Sequence, residues 1–260
     1  MQVFLIVLGV IAVIVIIVLV AKGAAARNRE RLAALSQWAA LNGFTFYEKD
    51  PYDLDSRFNG IGEIGRGHDR YAYELLQISV PVWAFIFRYH FRTTETRTVT
   101  STDSNGNSST RTETYEEDHY HSYLIIELNA AFPQLSIRPE HWGDKVAGFL
   151  GFDDINFESE QFSRRYFVKS KDRQFAYAVI HPQMIEWMMD RKFVGQLEQG
   201  KFALELARSN NFTVQMVQDA WEQAAGFINR IPPFVWQDYG KREPVELPES
   251  KPLPQPINAS

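Results

Sequence analysis

The chain has 260 residues, 45% of them apolar and 14% aromatic, with no cysteine and a formal net charge of −5. That size and composition allow one large packed domain or two small ones, and the absence of cysteine excludes disulfides, a thiol nucleophile and thiolate metal sites. Four basic residues against one acid give residues 22–31 a net +3, which leaves −8 on residues 32–260 and argues against nucleic acid as a partner.

Residues 3–21 form an unbroken apolar run without an ionisable side chain. Crossing a hydrocarbon core of about 30 Å takes about 20 helical residues, so residues 1–22 read as a transmembrane anchor and the lipid bilayer as a partner. A cleaved signal peptide is the competing reading, with Ala24, Ala25 and Ala26 as a cleavage-like site. It lacks the basic n-region, because only Met1 and Gln2 precede the run. Lys22, Arg27, Arg29 and Arg31 flank the run and predict a single-pass cell-membrane protein with its C-terminal domain in the cytoplasm. The run contains no GxxxG pair.

Residues 23–43 read as a juxtamembrane helix, with Leu32, Leu35, Trp38 and Ala39 at helical spacing and Asn42-Gly43 as its stop. A short aromatic strand follows at residues 44–47, then a turn-rich loop over residues 50–67 and a strand over residues 71–79. The centre of the pattern is a long antiparallel hairpin over roughly residues 81–128, with Asn105-Gly106 as its turn. Centring the turn there pairs Phe85 with Ile126, Phe87 with Leu124, Tyr89 with Ser122 and Phe91 with Tyr120 on one face. The outer third, residues 93–115, is rich in Thr and Ser and predicts a protruding ribbon.

Beyond the hairpin, the pattern gives a short strand in residues 133–139, a helix over residues 141–150 and a strand over residues 162–169. Asp172 caps a helix running to Ile180, and Pro182 starts another running to Met189. A strand at residues 202–207 precedes a helix over residues 213–228, with Val217, Trp221, Ala224 and Ile228 on its core side. Residues 44–231 therefore read as one α+β domain. Seven prolines from Pro232 onward mark residues 232–260 as a Pro-rich disordered tail.

The segment Phe132-Pro133-Gln134-Leu135-Ser136-Ile137-Arg138-Pro139-Glu140, with residues 155–168 (INFESEQFSRRYFV), Asp172, Ala176 and His181-Pro182 after it, resembles a signature of uncharacterised bacterial membrane-anchored proteins that share a domain of unknown function. The resemblance spans roughly residues 60–190. It implies an α+β domain beside a membrane and brings no catalytic residues with it.

Three patterns bear on chemistry. Gly60-Ile61-Gly62-Glu63-Ile64-Gly65 matches the dinucleotide fingerprint in letters, but no buried strand precedes it and no helix N-terminus follows, so it reads as a glycine-rich loop. His119 and His121 share a strand face, and the turn-centred register sets His90 opposite His121. Three imidazoles, with Glu117 as an oxygen ligand, form a candidate zinc site; Arg88 and Arg92 beside it, and Tyr123 nearby, favour a solvated polar face instead. Carboxylates cluster at residues 116–118 and at Asp153, Asp154, Glu158 and Glu160, a pattern commonest on solvated surfaces. Met184, Trp187 and Met188 read as core.

No nucleophile elbow, P-loop, zinc-protease or kinase motif is present. The expected architecture is thus an α+β protein: an N-terminal transmembrane helix, then an antiparallel-sheet domain with flanking helices and a long protruding β-hairpin. The expected function is a membrane-tethered, non-enzymatic interaction domain without a cofactor, engaging an unknown protein partner. The alternatives are a zinc-binding or hydrolytic module built on His90, His119 and His121, and a domain binding lipid or another hydrophobic ligand.

Overall fold

An uninterrupted helix, α1 (Gln2–Leu41), begins the chain, because nothing between the apolar run and the basic segment breaks it: residues 22–31 hold one glycine and no proline. The computed structural model describes residues 2–102, 108–139, 155–191 and 193–254; in α1, side chains are described at Ile11 and from Val13 onward. Among the described residues no helix is long and apolar enough to cross a membrane. The apolar stretch from Ile11 to Ala21 would span about 16 Å at 1.5 Å per residue.

Among the described residues, eight strands form one antiparallel sheet in the order β1-β2-β3-β4-β8-β7-β5-β6. They are β1 (Thr45–Lys49), β2 (His68–Ile78), β3 (Ala84–Thr102), β4 (Ser108–Glu127), β5 (Leu135–Pro139), β6 (Tyr166–Ser170), β7 (Gly195–Glu198) and β8 (Lys201–Ala207). The helices after α1 are α2 (Leu54–Arg57), α3 (Glu160–Ser163), α4 (Arg173–Val179), α5 (Pro182–Met189), α6 (Val214–Ile228) and α7 (Pro233–Asp238). The protein is therefore α+β. Local chemistry sets several boundaries: Asp172 accepts the Phe175 N–H at 2.9 Å and Thr213 accepts that of Met216 at 3.3 Å, capping α4 and α6. Pro182 opens α5. Where a strand from residue 162 is expected, Ser159 instead caps α3, and the strand starts at Tyr166. The expected helix at 141–150 lies outside the described residues.

The sheet is covered on both faces. On one, Leu76, Ile86, Leu124 and Ile126 join Leu35 and Trp38 of α1 and Trp221 of α6 in the larger core. Phe44 bridges the two helices, with its ring 5.5 Å from Trp38 and 5.0 Å edge-on from Trp221. On the other face, Phe85, Phe87 and Ile125 pack under Leu54, Phe58, Ile61 and Ile64 of the turn-rich segment.

Composition misreads the Pro-rich end. Val235 and Trp236 of α7 are fully buried, and Val245 and Leu247 join the larger core. The backbone is tied down as well: Trp221 donates to the Pro248 carbonyl at 2.9 Å, and Asn229 exchanges hydrogen bonds with Leu247. Through residue 254 this segment is a strap over the core rather than a disordered tail, because its few large apolar residues fall where α4 and α6 leave space for them.

The hairpin is present, but its register differs by one residue from the turn-centred expectation. Phe85 pairs with Ile125, Phe87 with Tyr123, Tyr89 with His121 and Phe91 with His119, and the ladder continues to Thr102 opposite Ser108. The turn itself lies outside the described residues. A one-residue slip exchanges the faces of a whole strand, so disulfide trapping checks the register in this cysteine-free chain. Thr98→Cys with Thr112→Cys should oxidise readily, and Thr98→Cys with Glu113→Cys, whose Cβ atoms point to opposite faces, should stay reduced. The reverse result would restore the turn-centred pairing.

Candidate functional site

The junction of α1 with the sheet is built around one carboxylate. Between Tyr73, opposite Arg88, and Leu76, opposite Ile86, strand β2 holds one residue more than its partner, a β-bulge at Glu74 and Leu75. Glu74 has a φ of +49°, unusual for a side-chain-bearing residue. The bulge aims its carboxylate at two guanidinium groups. Arg31 of α1 grips both oxygens at 2.7 Å, and Arg88 of β3 donates at 3.0 Å. Arg31 also reaches the Phe212 carbonyl at 3.1 Å and Arg88 that of Asn210 at 3.2 Å, so the clamp ties α1, β2, β3 and the loop before α6 together. Burial pushes the Glu74 carboxyl upward, yet the hydrogen bonds from Arg31 and Arg88 outweigh it and hold the group below the ordinary carboxylate range. Of the four flanking basic residues, Lys22, Arg27 and Arg29 are exposed, whereas Arg31 turns into the body.

From this junction the hairpin runs outward alone. β2 stops opposite Arg92 and β8 stops opposite Ser122. Beyond these points, among the described residues, β3 and β4 pair only with each other, over about 33 Å at 3.3 Å per residue. Alternation gives the ribbon two unlike faces. One presents Thr96, Thr98 and Thr100 opposite Thr114, Thr112 and Thr110; the other presents Arg97 opposite Glu113, Val99 opposite Arg111 and Glu95 opposite Tyr115. Glu113 bridges Arg97 at 2.8 Å and Arg111 at 2.6 Å.

The observed register separates the three histidines. His90 lies opposite Tyr120, on the face that carries Arg88, while His119 and His121 lie on the other. The proposed three-imidazole cluster is therefore not assembled, and each ring has its own partners. His90 bonds Asp118 at 2.8 Å and the Asp69 carbonyl at 3.2 Å; His119 bonds Thr93 at 2.7 Å; His121 bonds Glu205 at 2.7 Å. Among the described residues no group of three His, Cys, Asp or Glu side chains is placed to hold a metal. Glu205 sits under the opposing pulls felt by Glu74: burial raises its pKa, and hydrogen bonds from His121 and Arg208 bring it below the ordinary range.

The glycine-rich loop is filled rather than open. Its Glu63 and Gly65 N–H groups donate to the hydroxyls of Tyr123 at 3.1 Å and Tyr89 at 3.0 Å, and Ile61 and Ile64 are buried. With these N–H groups taken and β2 following, the loop has no cradle for a pyrophosphate. Burial holds the Tyr123 phenol well above its ordinary pKa. Sequence reasoning missed Glu74 and Glu205 and read Arg88 as part of a solvated face, whereas it is buried. Their signal is a single charge within each of the apolar strand patterns YAYELLQI, AFIFRYHF and FALELA.

Because the folded Glu74 carboxyl titrates below its unfolded value of about 4.3, its stabilisation is complete at neutral pH and fades as pH falls below that unfolded value and on through the lower folded one. Glu74→Gln strands the buried Arg88 and should cost about 3 kcal/mol at neutral pH. In urea titrations of the chain in detergent micelles, the gap between variant and wild type should narrow from pH 7 to pH 3. A gap that stays constant across that range would show that Glu74 has no clamp role.

No family model matches the chain, and no curated protein matches it. Among solved structures it is similar to the mycobacterial trehalose monomycolate transport factor A, TtfA, with a TM-score of 0.51 at 12% identity, over 79% of this chain and 98% of that one. At that identity the likeness is one of fold.

Proposed function

We propose that this protein is a membrane-tethered, non-enzymatic interaction domain serving lipid transport. In this reading the apolar half of α1 lies in the cell membrane as a single pass, the body sits on the cytoplasmic side, and the ribbon engages a protein partner. One observation carries the proposal: Ile11 and residues 13–20 are each 44–62% exposed, on every side of a helix whose far end is locked into the body. Apolar surface all round a helix calls for an apolar surrounding, and the sequence run of residues 3–21 has the length a bilayer needs. Exposed Lys22, Arg27 and Arg29 directly after the run favour the cytoplasmic side.

The transport element of the reading rests on the likeness in fold to a trehalose monomycolate transport factor. A scaffolding role suits this chain better than a carrier role, since both cores are filled by their own side chains, with Trp38, Trp221, Phe85 and Phe87 almost wholly buried. The role needs no cofactor.

Three measurements test the proposal. The full chain should float with liposomes and resist carbonate extraction, while a variant lacking residues 2–21 should remain in the soluble fraction; equal flotation would refute the anchor. Ser101→Cys, the single thiol in that variant, should react with a membrane-impermeant maleimide only after spheroplasts are permeabilised. Labelling of intact spheroplasts would put the body outside. For the ribbon, excising residues 95–115 and closing the ends with Asn-Gly should leave the melting temperature within a few degrees of wild type and abolish a crosslink formed in cells from the exposed Thr94, which the excision retains. A crosslinked product from another site that survives the excision unchanged would assign partner binding elsewhere.

A further inference from the structure

We infer that the cleft at the open edge of β2 is a binding site for a neutral, hydroxyl-rich ligand, a glycosyl group being the type. β1 ends at Lys49, opposite Tyr73, so among the described residues the part of β2 from Arg70 to Ala72 has no strand on its outer side. The chain after β1 turns away and leaves a cleft of about 930 Å³ there, within the range of small-molecule sites.

Its lining is balanced in charge. Three cations, Lys49, Arg70 and Arg88, stand against three carboxylates, Asp50, Asp53 and Asp55. Several are already engaged: Asp50 accepts the Tyr52 and Leu54 N–H groups at 2.8 and 2.6 Å, Arg70 holds Asp55 at 3.1 Å, and Glu74 holds Arg88 at 3.0 Å. A phosphate or an ammonium group entering here meets repulsion as well as attraction. A hydroxyl donates to the carboxylates and accepts from the cations, and planar carboxylate and guanidinium groups match hydroxyls on adjacent carbons.

The aromatic component points the same way. Tyr71, Tyr73 and Tyr120 also line the cleft. Tyr71 is 50% exposed, with its ring 5.4 Å from Tyr73 and 4.8 Å from His90, which in turn lies 5.0 Å from Tyr120. Arg88 covers Tyr73 at 4.5 Å. An exposed ring held by its neighbours loses little freedom when a ligand stacks on it, and the C–H face of a pyranose is the partner that leaves hydroxyls at its rim for the charged groups. Arg88 and Arg31 share Glu74, so the cleft is linked through that carboxylate to α1 at a residue about 14 Å along the helix from Lys22. The ligand is thus a free sugar or the sugar of a membrane glycolipid.

Titration calorimetry and saturation-transfer NMR on the full chain in detergent micelles test the site, with maltose, cellobiose and trehalose as soluble probes. Vesicles with and without a glucosyl diacylglycerol serve as competitors. Saturable disaccharide binding is expected, weakened at least tenfold by Tyr71→Ala and about threefold by Asp53→Asn, which keeps the left-handed backbone at Asp53 (φ +52°). Tyr177→Ala, at an exposed tyrosine outside the cleft, should leave it unchanged. Displacement by the glycolipid vesicles alone identifies a headgroup site, and lack of displacement a free-sugar site. The inference is overturned if neither probe binds, if Tyr71→Ala binds as wild type with an unchanged circular dichroism spectrum, or if inorganic phosphate displaces the sugar. None of these outcomes touches the flotation and labelling results, so the tether stands or falls separately.

Discussion

The carboxylate of Glu74 fixes how the long helix meets the sheet. A lone buried charge is costly, and each member of the Arg31–Glu74–Arg88 set is tolerable only because the other two are present. The bulge that aims Glu74 carries backbone strain of about 1–3 kcal/mol, which the paired guanidinium groups offset. The outcome is geometric. With Arg31 clamped about one turn before the buried Leu35 and two before Trp38, α1 leaves the body as a continuous helix of about 44 Å, unlike a flexible linker, which would leave the body free to rotate beside whatever surface holds the helix.

The same junction explains why the hairpin changes character midway. From Ala84 to Phe91 every residue of β3 is buried, because helices cover one face and the turn-rich segment covers the other. Past Arg92 both covers end, and the strands become polar. A two-stranded ribbon is marginal in water by itself. Here its base is continuous with an eight-stranded sheet, and cross-strand pairs such as Arg97–Glu113 and the Ser101–Ser109 hydroxyls at 3.0 Å add about 0.2–1 kcal/mol each.

Much of the architecture was legible in the sequence where a local rule dominates. Asp172, Pro182 and Thr213 fix helix starts by capping or ring geometry, and the structure follows them. The hairpin's existence was legible as well, but its register was not. Pattern-based registration needs one apolar and one polar face, and the inner halves of β3 and β4 are apolar on both, as in sheets covered on each side. Shifting the pairing by one residue still sets apolar or aromatic residues opposite one another, as Phe85 with Ile125 and Phe87 with Tyr123, so the pattern, read as agreeing with a two-residue turn, has no power to choose, and the turn-centred register is off by one residue. The error then propagated to the histidines, whose convergence existed only in the shifted register. Proline content likewise misled for residues 232–254, because Pro removes a backbone donor without preventing the intervening Val245 and Leu247 from packing.

The histidines have a structural reason of their own at the ribbon's root. On one face His90 ties Asp118 of β4 to the Asp69 carbonyl of β2, and Arg92 joins both aspartates at 2.8 and 3.3 Å. On the other, His121 joins β4 to Glu205 of β8, with Phe91 stacked against both His119 and His121. Each cluster sits where a flanking strand ends, β2 on one side and β8 on the other, which is where a hairpin about to continue alone is prone to peel from its sheet. Imidazole suits that place because its two nitrogens lie on opposite sides of a flat ring, so one side chain can bridge two strands while its faces stack on aromatic neighbours. The polar residues that first suggested a metal site are thus the fastening that lets the ribbon stand out from the sheet.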